Sequence, residues 1–536
     1  MITFALPLLI ATSQSQPEAI VIPGTGEHSR KITTSSPKAQ MFFNQGLNLM
    51  YAFNKSEALN SFKTAAAADP DCAMAWWGVA YANGPDYNGM YVDAPHEKAA
   101  IEAIKKAQAV MSDEPLVDQQ IIKAATLRYK YPNPDRKKQE AAYSKSLASV
   151  WSQYPYDADL GALYGESMMN LRPWDLWKKD GTPQPGTPNI LQVLQDVIRL
   201  NPKHPMANHL YIHAVEASAT PQMGVRAADA LRDLQPGLGH NLHMPSHIYV
   251  RVGAWQKAID ANAKALKADE AYRFLRPDNM DYWGLMIHNW HMLAFAAMMT
   301  GQKSLAISNI DAMFNNMPAA MVEKFGGEMD GLYNMPIDVR IRFGLWDEVL
   351  AYPSIDSKFP ISVTLQHMAR AMAHAAQKNV PQARMEQALF MEALKKSPFY
   401  GKDFPGNTLK VAEHLMNGEI CVAEGKTEEA IAHLKKGIEA EDALDYSEPP
   451  LWIQPVRHTL GALLVKLGRY SEALEVYNAD LKILPNNGWS LYGKSLCLEN
   501  LGRTQDAAKV RALFDSVWAS NETPITSSCI CIPGKH

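Results

Sequence analysis

The chain has 536 residues, with 52 lysines and arginines against 56 aspartates and glutamates, for a formal net charge of −4. That near-balance excludes a general nucleic-acid binder, which carries a basic excess, and no run of like charge marks a polybasic membrane patch. Hydrophobic residues at 47% and charged residues at 20% supply a large core and exclude wholesale disorder.

The first element is a short apolar stretch, Met1 to Ala11, followed by the polar run Thr12 to Gln16. Its length suits the hydrophobic region of an export signal and falls short of a bilayer span, but the positive charge expected near Met1 is missing. Export (periplasmic or secreted) and a cytoplasmic location both stay open on this pattern. Beyond it no run of eighteen apolar residues occurs, so no transmembrane segment is expected. Apolar residues recur at helical spacing almost throughout and alternating runs are scarce, which predicts an all-α chain.

A 34-residue frame organises these helices. In a frame starting at Ala39, Gly46, Ala58, Phe62, Ala65 and Pro70 fall at offsets 8, 20, 24, 27 and 32. Further frames start at Ala158, Pro205, Gly239 and Ile287, each supported by a turn or stop residue such as Pro202, Pro236, Gly253 or Gly301. Two insertions interrupt the beat: Arg172 to Pro188, rich in Pro, Gly and Trp, and about Ala271 to Met286, which carries Tyr272, Phe274, Tyr282 and Trp283. Segments 96–150 and 320–360 read as helical but fit the frame poorly. The frame returns at Gln454, with Gly461, Leu464, Gly468, Ala473, Tyr477 and Pro485, and again at Gly488, with Gly502 and Ala507. The organisation expected is an N-terminal segment 1–35, hairpins over 36–157, 158–320 and 321–520, and a tail 521–536.

Five cysteines, Cys72, Cys421, Cys497, Cys529 and Cys531, are too few and too scattered for a disulfide framework. The Cys529–Cys531 pair is expected on a frayed tail without a role.

Small residues at offsets 8 and 20 let paired helices approach closely, and proline at 32 stops the second helix. With this pattern the chain resembles the tetratricopeptide repeat family over most of its length. The resemblance implies an α-solenoid of stacked helical hairpins, since one hairpin cannot bury its apolar face alone. The segments from His240 to Gly253, from His209 to Glu216, from Cys72 to Gly78 and from Arg172 to Asp175 are similar to a group of bacterial tetratricopeptide proteins with a His-Met-Pro-Ser-His-Ile segment. That likeness spans roughly residues 36–350 and brings no activity with it.

Eight of the sixteen histidines lie between His204 and His291. His209 and His213 are four residues apart, as are His243 and His247; His240 and His243, and His288 and His291, are three apart. Such spacings put side chains on one helix face within mutual reach, so each pair can chelate a metal ion. In the frame, His209, His243 and His291 occupy offset 5, His213, His247 and Glu166 offset 9, and His240 and His288 offset 2, with Glu216 at 12 and Arg251 at 13. The resemblance implies that these offsets line the concave groove of a tetratricopeptide array. Imidazole and carboxylate donors without thiolate suit a divalent transition metal such as Zn, Cu, Fe, Mn or Ni. Three histidines with Glu166 or Glu216 and an open water position would resemble a catalytic site more than a structural one. Tyr211, Tyr249, Tyr282 and Trp290 are candidates for outer partners or a substrate wall, and Trp77 and Tyr81 fall at groove offsets 5 and 9. Trp174 and Trp177 of the first insertion would lie over the groove or cover the edge of the stack.

The other histidines, including His28, His96, His367, His374, His414, His433, His458 and His536, read as ordinary surface or core residues. A second reading stands beside the metal. The clustered imidazoles with Arg226 and Arg251 would instead hold a peptide or acidic ligand in a non-enzymatic interaction scaffold. No glycine-rich phosphate loop, nucleophile elbow or His-Glu-x-x-His motif is present, so no nucleotide cofactor or serine-hydrolase chemistry is expected.

Overall fold

The computed structural model describes residues 19–397, 406–522 and 524–532. The apolar Met1–Ala11 stretch, the polar run after it and His536 lie outside the described residues. Among the described residues the chain is all-α, with no strand and two isolated β-bridges, Asp86 with Gly89 and Trp177 with Pro183. No helix among them is long and apolar enough to cross a membrane.

The helices of the first half are α1 (Pro37–Met50), α2 (Lys55–Ala68), α3 (Ala73–Ala82), α4 (Ala94–Val110), α5 (Leu116–Ala125), α6 (Arg136–Gln153) and α7 (Ala158–Met169). There follow α8 (Thr187–Leu200), α9 (Pro205–Glu216), α10 (Val225–Leu231), α11 (Gly239–His243), α12 (Pro245–Arg251), α13 (Trp255–Leu275) and α14 (Trp283–Met299). The second half continues with α15 (Lys303–Asn316), α16 (Ala319–Phe325), α17 (Met335–Arg342), α18 (Trp346–Ala351), α19 (Pro360–Ala376) and α20 (Val380–Lys396). It ends with α21 (Gly406–Ala423), α22 (Thr427–Asp442), α23 (Val456–Lys466), α24 (Tyr470–Ile483), α25 (Gly488–Asn500) and α26 (Thr504–Val517).

The chain divides into two compact units. The N-terminal unit takes in the described residues up to Ile248 together with Ala261–Asn289; the C-terminal unit takes in Tyr249–Asp260 and the described residues from Trp290 onward. Each unit is a run of helical hairpins stacked on their neighbours in chain order.

The 34-residue frame has a direct packing cause. Phe62 of α2 wedges between α1 and α3: a Cβ on Gly46 would sit 2.6 Å from its ring, and one on Gly78 2.3 Å from it. Tyr477 of α24 does the same between Gly461 and Gly493, at 2.5 and 2.1 Å. Offset 8 is small because the aromatic at offset 24 fills the space a side chain would need. The α1 start follows local rules, with Ser36 Oγ accepting from the Ala39 amide at 3.2 Å and Pro37 in the first turn.

Two expectations are revised, and the poor fit of a third segment finds a physical reason. The second insertion is shorter than expected: α13 runs on to Leu275 and α14 begins at Trp283, leaving only 276–282 between them. Segment 96–150, poor in the frame, is organised around a buried ion pair, Arg128 with Glu140, each side chain 1% exposed. Finally, the tail is not frayed over 527–532. Ser528 is buried, with its carbonyl accepting from Arg342 Nη2 at 2.8 Å and its Oγ donating to the His458 carbonyl at 2.8 Å. Cys529 and Cys531 form a disulfide, and Ile532 is buried.

Candidate functional site

Three successive hairpins of the N-terminal unit supply the histidines. Helix α9 begins at Pro205 and is capped by His204, whose Nδ1 accepts from the Ala207 amide at 3.2 Å. That leaves His204 Nε2 to donate to Asp159 Oδ1 at 3.1 Å, so His204 is a structural cap. Asp159 also receives His28 Nε2 at 2.9 Å and the Tyr51 hydroxyl at 2.9 Å, so His28 belongs to a half-buried polar network. Helix α11 starts at Gly239, where a Cβ would lie 1.8 Å from Asp269 Oδ1. Only glycine lets the Asp269 carboxyl approach that helix start; Tyr282 and Asn289 donate to the same carboxyl, each at 2.7 Å. Pro245 has no N–H to extend the ladder, so the helix breaks at Met244 and resumes as α12. His243 and His247 flank this break.

The six imidazoles form two triads. Donor atoms of His209, His213 and His240 lie within 4.8 Å of one another, and so do those of His243, His247 and His288. Glu216 joins the triads from behind. Its Oε1 lies 2.7 Å from His213 Nδ1 and its Oε2 2.5 Å from His247 Nδ1.

The acceptors assign the ring protons. His209 Nδ1 lies 2.8 Å from the Tyr51 carbonyl oxygen, which can only accept, so Nδ1 carries the proton. The same logic protonates Nδ1 of His213 and His247 against Glu216, and Nδ1 of His243 against Asn262 Oδ1 at 2.6 Å. With Nδ1 engaged, each of these rings turns Nε2 toward its triad. Nε2 of His209 and of His213 has no hydrogen-bond partner, nor has either ring nitrogen of His240. In the second triad, His247 Nε2 lies 2.8 Å from His243 Nε2 and 3.3 Å from His288 Nε2. Two nitrogen donors on one tetrahedral ion at about 2.05 Å stand about 3.3 Å apart, so these spacings are of ligand size.

Burial sets the charge state. His209, His213, His240, His243 and His247 are between 0 and 3% exposed. Burial pushes His209, His240 and His243 well below the usual imidazole range, and pushes His213 below it despite the neighbouring Glu216. Burial would raise Glu216, but the positive character of His247 and His213 and their two N–H donors outweigh it and hold the carboxyl at about 2.

A pH dependence follows. A histidine that stays neutral when folded takes up its proton on unfolding, so the unfolded chain binds more protons below about pH 6.5. The metal-free protein is expected to lose about 1.3 kcal/mol of stability for each such histidine as pH falls from 7 to 5.5, the slope approaching about 1.4 kcal/mol per pH unit only well below 6.5. Glu216 acts in the same direction lower down: its contribution is present above its ordinary value near 4.5 and is lost toward 2. Urea midpoints measured at both pH values check this, and a flat profile would show the rings to be solvated.

The remaining sequence candidates fall elsewhere. Glu166 accepts from the Tyr81 hydroxyl at 2.8 Å, and burial raises its carboxyl to about 7; Trp77 stacks on Tyr81 at 5.1 Å. Tyr282 is engaged by Asp269, and Tyr211 accepts from Gln195 at 2.7 Å. Arg251, Tyr249, Trp290 and His291 belong to the C-terminal unit. There Arg251 donates to the Ile483 carbonyl at 3.0 Å, Lys257 sits over the Tyr249 ring, and the Trp290 carbonyl accepts from Asn309. Burial pushes His291 down to about 4.

Further groups surround the triads, among them Phe53 and Tyr51, which carry no sequence signal. Phe53, held at φ +57°, packs its ring 4.3 Å from His209 and 5.5 Å from His240. From the first insertion, Trp174 meets His213 edge-on at 5.0 Å and stacks on Tyr87 at 5.0 Å, while Trp177 donates to the Ala214 carbonyl at 2.8 Å. Tyr51 contributes a backbone oxygen, which no sequence pattern marks.

Residues 43–83 match the tetratricopeptide repeat family. The tetratricopeptide match covers the end of α1, all of α2 and α3, where Phe62 packs between Gly46 and Gly78. No curated protein matches the sequence. The human IFIT1 dimer with m7Gppp-AAAA is similar at 14% identity over 91% of this chain and 92% of that chain, with a TM-score of 0.32. The APC/C hetero-tetramer Cut9-Hcn1 is similar at 12% identity over 90% of this chain and 75% of that chain, with a TM-score of 0.30. Likeness at these scores carries nothing about RNA or any other ligand to this chain.

Proposed function

We propose that this tetratricopeptide-repeat protein, of the bacterial group that carries the His-Met-Pro-Ser-His-Ile segment, binds two transition-metal ions side by side. One ion is held by His209, His213 and His240, the other by His243, His247 and His288. Glu216 acts as the shared outer carboxylate, orienting one ring of each triad and raising its basicity. The observation that carries this reading is the convergence of buried imidazole nitrogens. Donor atoms of each triad lie within 4.8 Å of one another. In the first triad, Nε2 of His209 and of His213 and both ring nitrogens of His240 meet no other partner, the arrangement a cation would satisfy.

All-nitrogen donor sets favour borderline metals such as zinc, copper or iron over magnesium or calcium. Three protein ligands per ion leave a fourth position for water or substrate, the pattern of catalytic sites; such an ion supplies Lewis acidity or an activated water. The depth of the rings counts against a peptide as occupant, because a peptide needs exposed groove surface.

The test is elemental analysis of oxidised, gently purified protein, repeated after zinc loading. Wild type is expected to carry two equivalents per chain, and His209→Ala with His243→Ala none, at unchanged far-ultraviolet circular dichroism. Substoichiometric metal in both proteins, with helicity intact, would overturn the reading.

A further inference from the structure

A second donor set lies in the C-terminal unit. Glu419 of α21 is 4% exposed, and neither carboxylate oxygen has a hydrogen-bond partner. Burial pushes its carboxyl up to about 8. A buried carboxyl with no donor is costly to ionise unless a cation meets it. An oxygen of Glu419 and the sulfurs of Cys529 and Cys531 lie within 4.8 Å of one another. All three line one cavity, walled in part by Trp346, Met372 and Leu415. The sulfurs are held in place: Arg342 and the His458 carbonyl fix Ser528, Thr459 Oγ1 donates to Cys529 Sγ at 3.5 Å, and Ile532 is buried.

We propose that reduction of the Cys529–Cys531 disulfide turns Cys529, Cys531 and Glu419 into a binding site for a thiophilic divalent cation of the zinc class. Occupancy of this site is thereby gated by redox state. The site is separate from the histidine triads and does not depend on their loading. In the oxidised chain each sulfur's bonding is spent on the other, and Glu419 alone cannot hold a borderline ion. An external dithiol opens the site by exchange. Its first thiolate attacks one sulfur and breaks the S–S bond, and its second displaces the mixed disulfide. Two electrons and two protons pass to the chain, and the reductant leaves as a disulfide. Metal binding then displaces both thiol protons and the proton of the Glu419 carboxyl, which pass to solvent, giving two thiolates and one carboxylate, with a fourth position for water.

The test uses full-length protein titrated with cobalt(II) under anaerobic conditions, before and after reduction by a trialkylphosphine. The phosphine supplies the two electrons and leaves as phosphine oxide, taking its oxygen from water, whose protons go to the sulfurs. A thiolate-to-cobalt charge-transfer band is read, which imidazole and carboxylate donors do not produce. Reduced wild type is expected to develop the band to one equivalent and oxidised wild type to show none; this comparison needs no variant. Cys531→Ser is expected to abolish or halve the band. Glu419→Gln is expected to weaken cobalt by about tenfold or more, the loss that even an outer-shell partner causes. The band is expected to persist in the His209→Ala, His243→Ala protein, so failure of the histidine reading leaves it untouched. Reduced wild type without the band overturns the proposal, as does cobalt affinity unchanged in Glu419→Gln.

Discussion

Glu216→Gln is expected to weaken both metal equivalents of the histidine site together. The carboxylate accepts one N–H from each triad, His213 through Oε1 and His247 through Oε2. An amide of the same shape keeps one acceptor and turns an NH₂ toward the other ring. That ring then loses its partner for Nδ1–H and is driven toward the tautomer that blocks Nε2. Its triad is expected to bind zinc about 10–100-fold more weakly, the usual consequence of removing an outer-shell carboxylate. The other triad keeps a hydrogen bond and loses the negative charge behind it, so its affinity falls as well, by less. His209→Ala, by contrast, removes a donor from one triad only and is expected to leave one equivalent at wild-type affinity. Competitive titration against a chelating dye separates these patterns. Two equivalents that respond independently in Glu216→Gln would show that the carboxylate does not couple the triads.

Glu140→Ala is expected to cost about 3–5 kcal/mol of folding stability, because it strands a buried charge. Arg128 and Glu140 are each 1% exposed, with Arg128 Nε 3.0 Å from Oε1 and Nη2 3.2 Å from Oε2. A guanidinium cannot shed its charge to escape the interior. Its other supports, the Pro85 carbonyl at 2.9 Å and the Tyr143 ring at 4.7 Å, are weak substitutes for a carboxylate. The pair need not stabilise the fold relative to apolar residues of similar volume. The double variant Arg128→Met, Glu140→Leu is therefore expected to recover most of the loss. An exposed pair such as Arg503 with Asp506 is expected to change stability by less than about 1 kcal/mol when broken. Denaturant midpoints for the three variants check this; a Glu140→Ala protein within about 1 kcal/mol of wild type would show that water reaches Arg128.

The frame read helix starts well where local chemistry marks them. Ala158, Pro205 and Gly239 are the first residues of α7, α9 and α11. Each owes its place to a capping residue, a proline that cannot continue a ladder, or a glycine under a close carboxyl. Ile287 falls a turn inside α14, because the aromatic run from Tyr282 packs as helix and not as loop. Where the frame fails, over 96–150, hairpins are held by Arg128 and Glu140 in place of small-against-aromatic packing, and periodicity does not register such a pair.

Spacing along one helix is covalent geometry, so the pair His209–His213 on α9 was determined by sequence alone. So were the all-helical make-up and the small residues at offsets 8 and 20 that let paired helices approach, since volume and period are properties of residue type. Which helix meets which was decided by tertiary packing. Only that packing brought His240 to α9 and His288 to α12, set Glu216 behind both triads, and turned Glu166 toward Tyr81. The partners that assign the ring protons are Glu216, the Asn262 amide and the Tyr51 backbone oxygen, the last an atom every residue possesses. A carbonyl has no letter in the sequence, and neither does the direction in which a lone pair points.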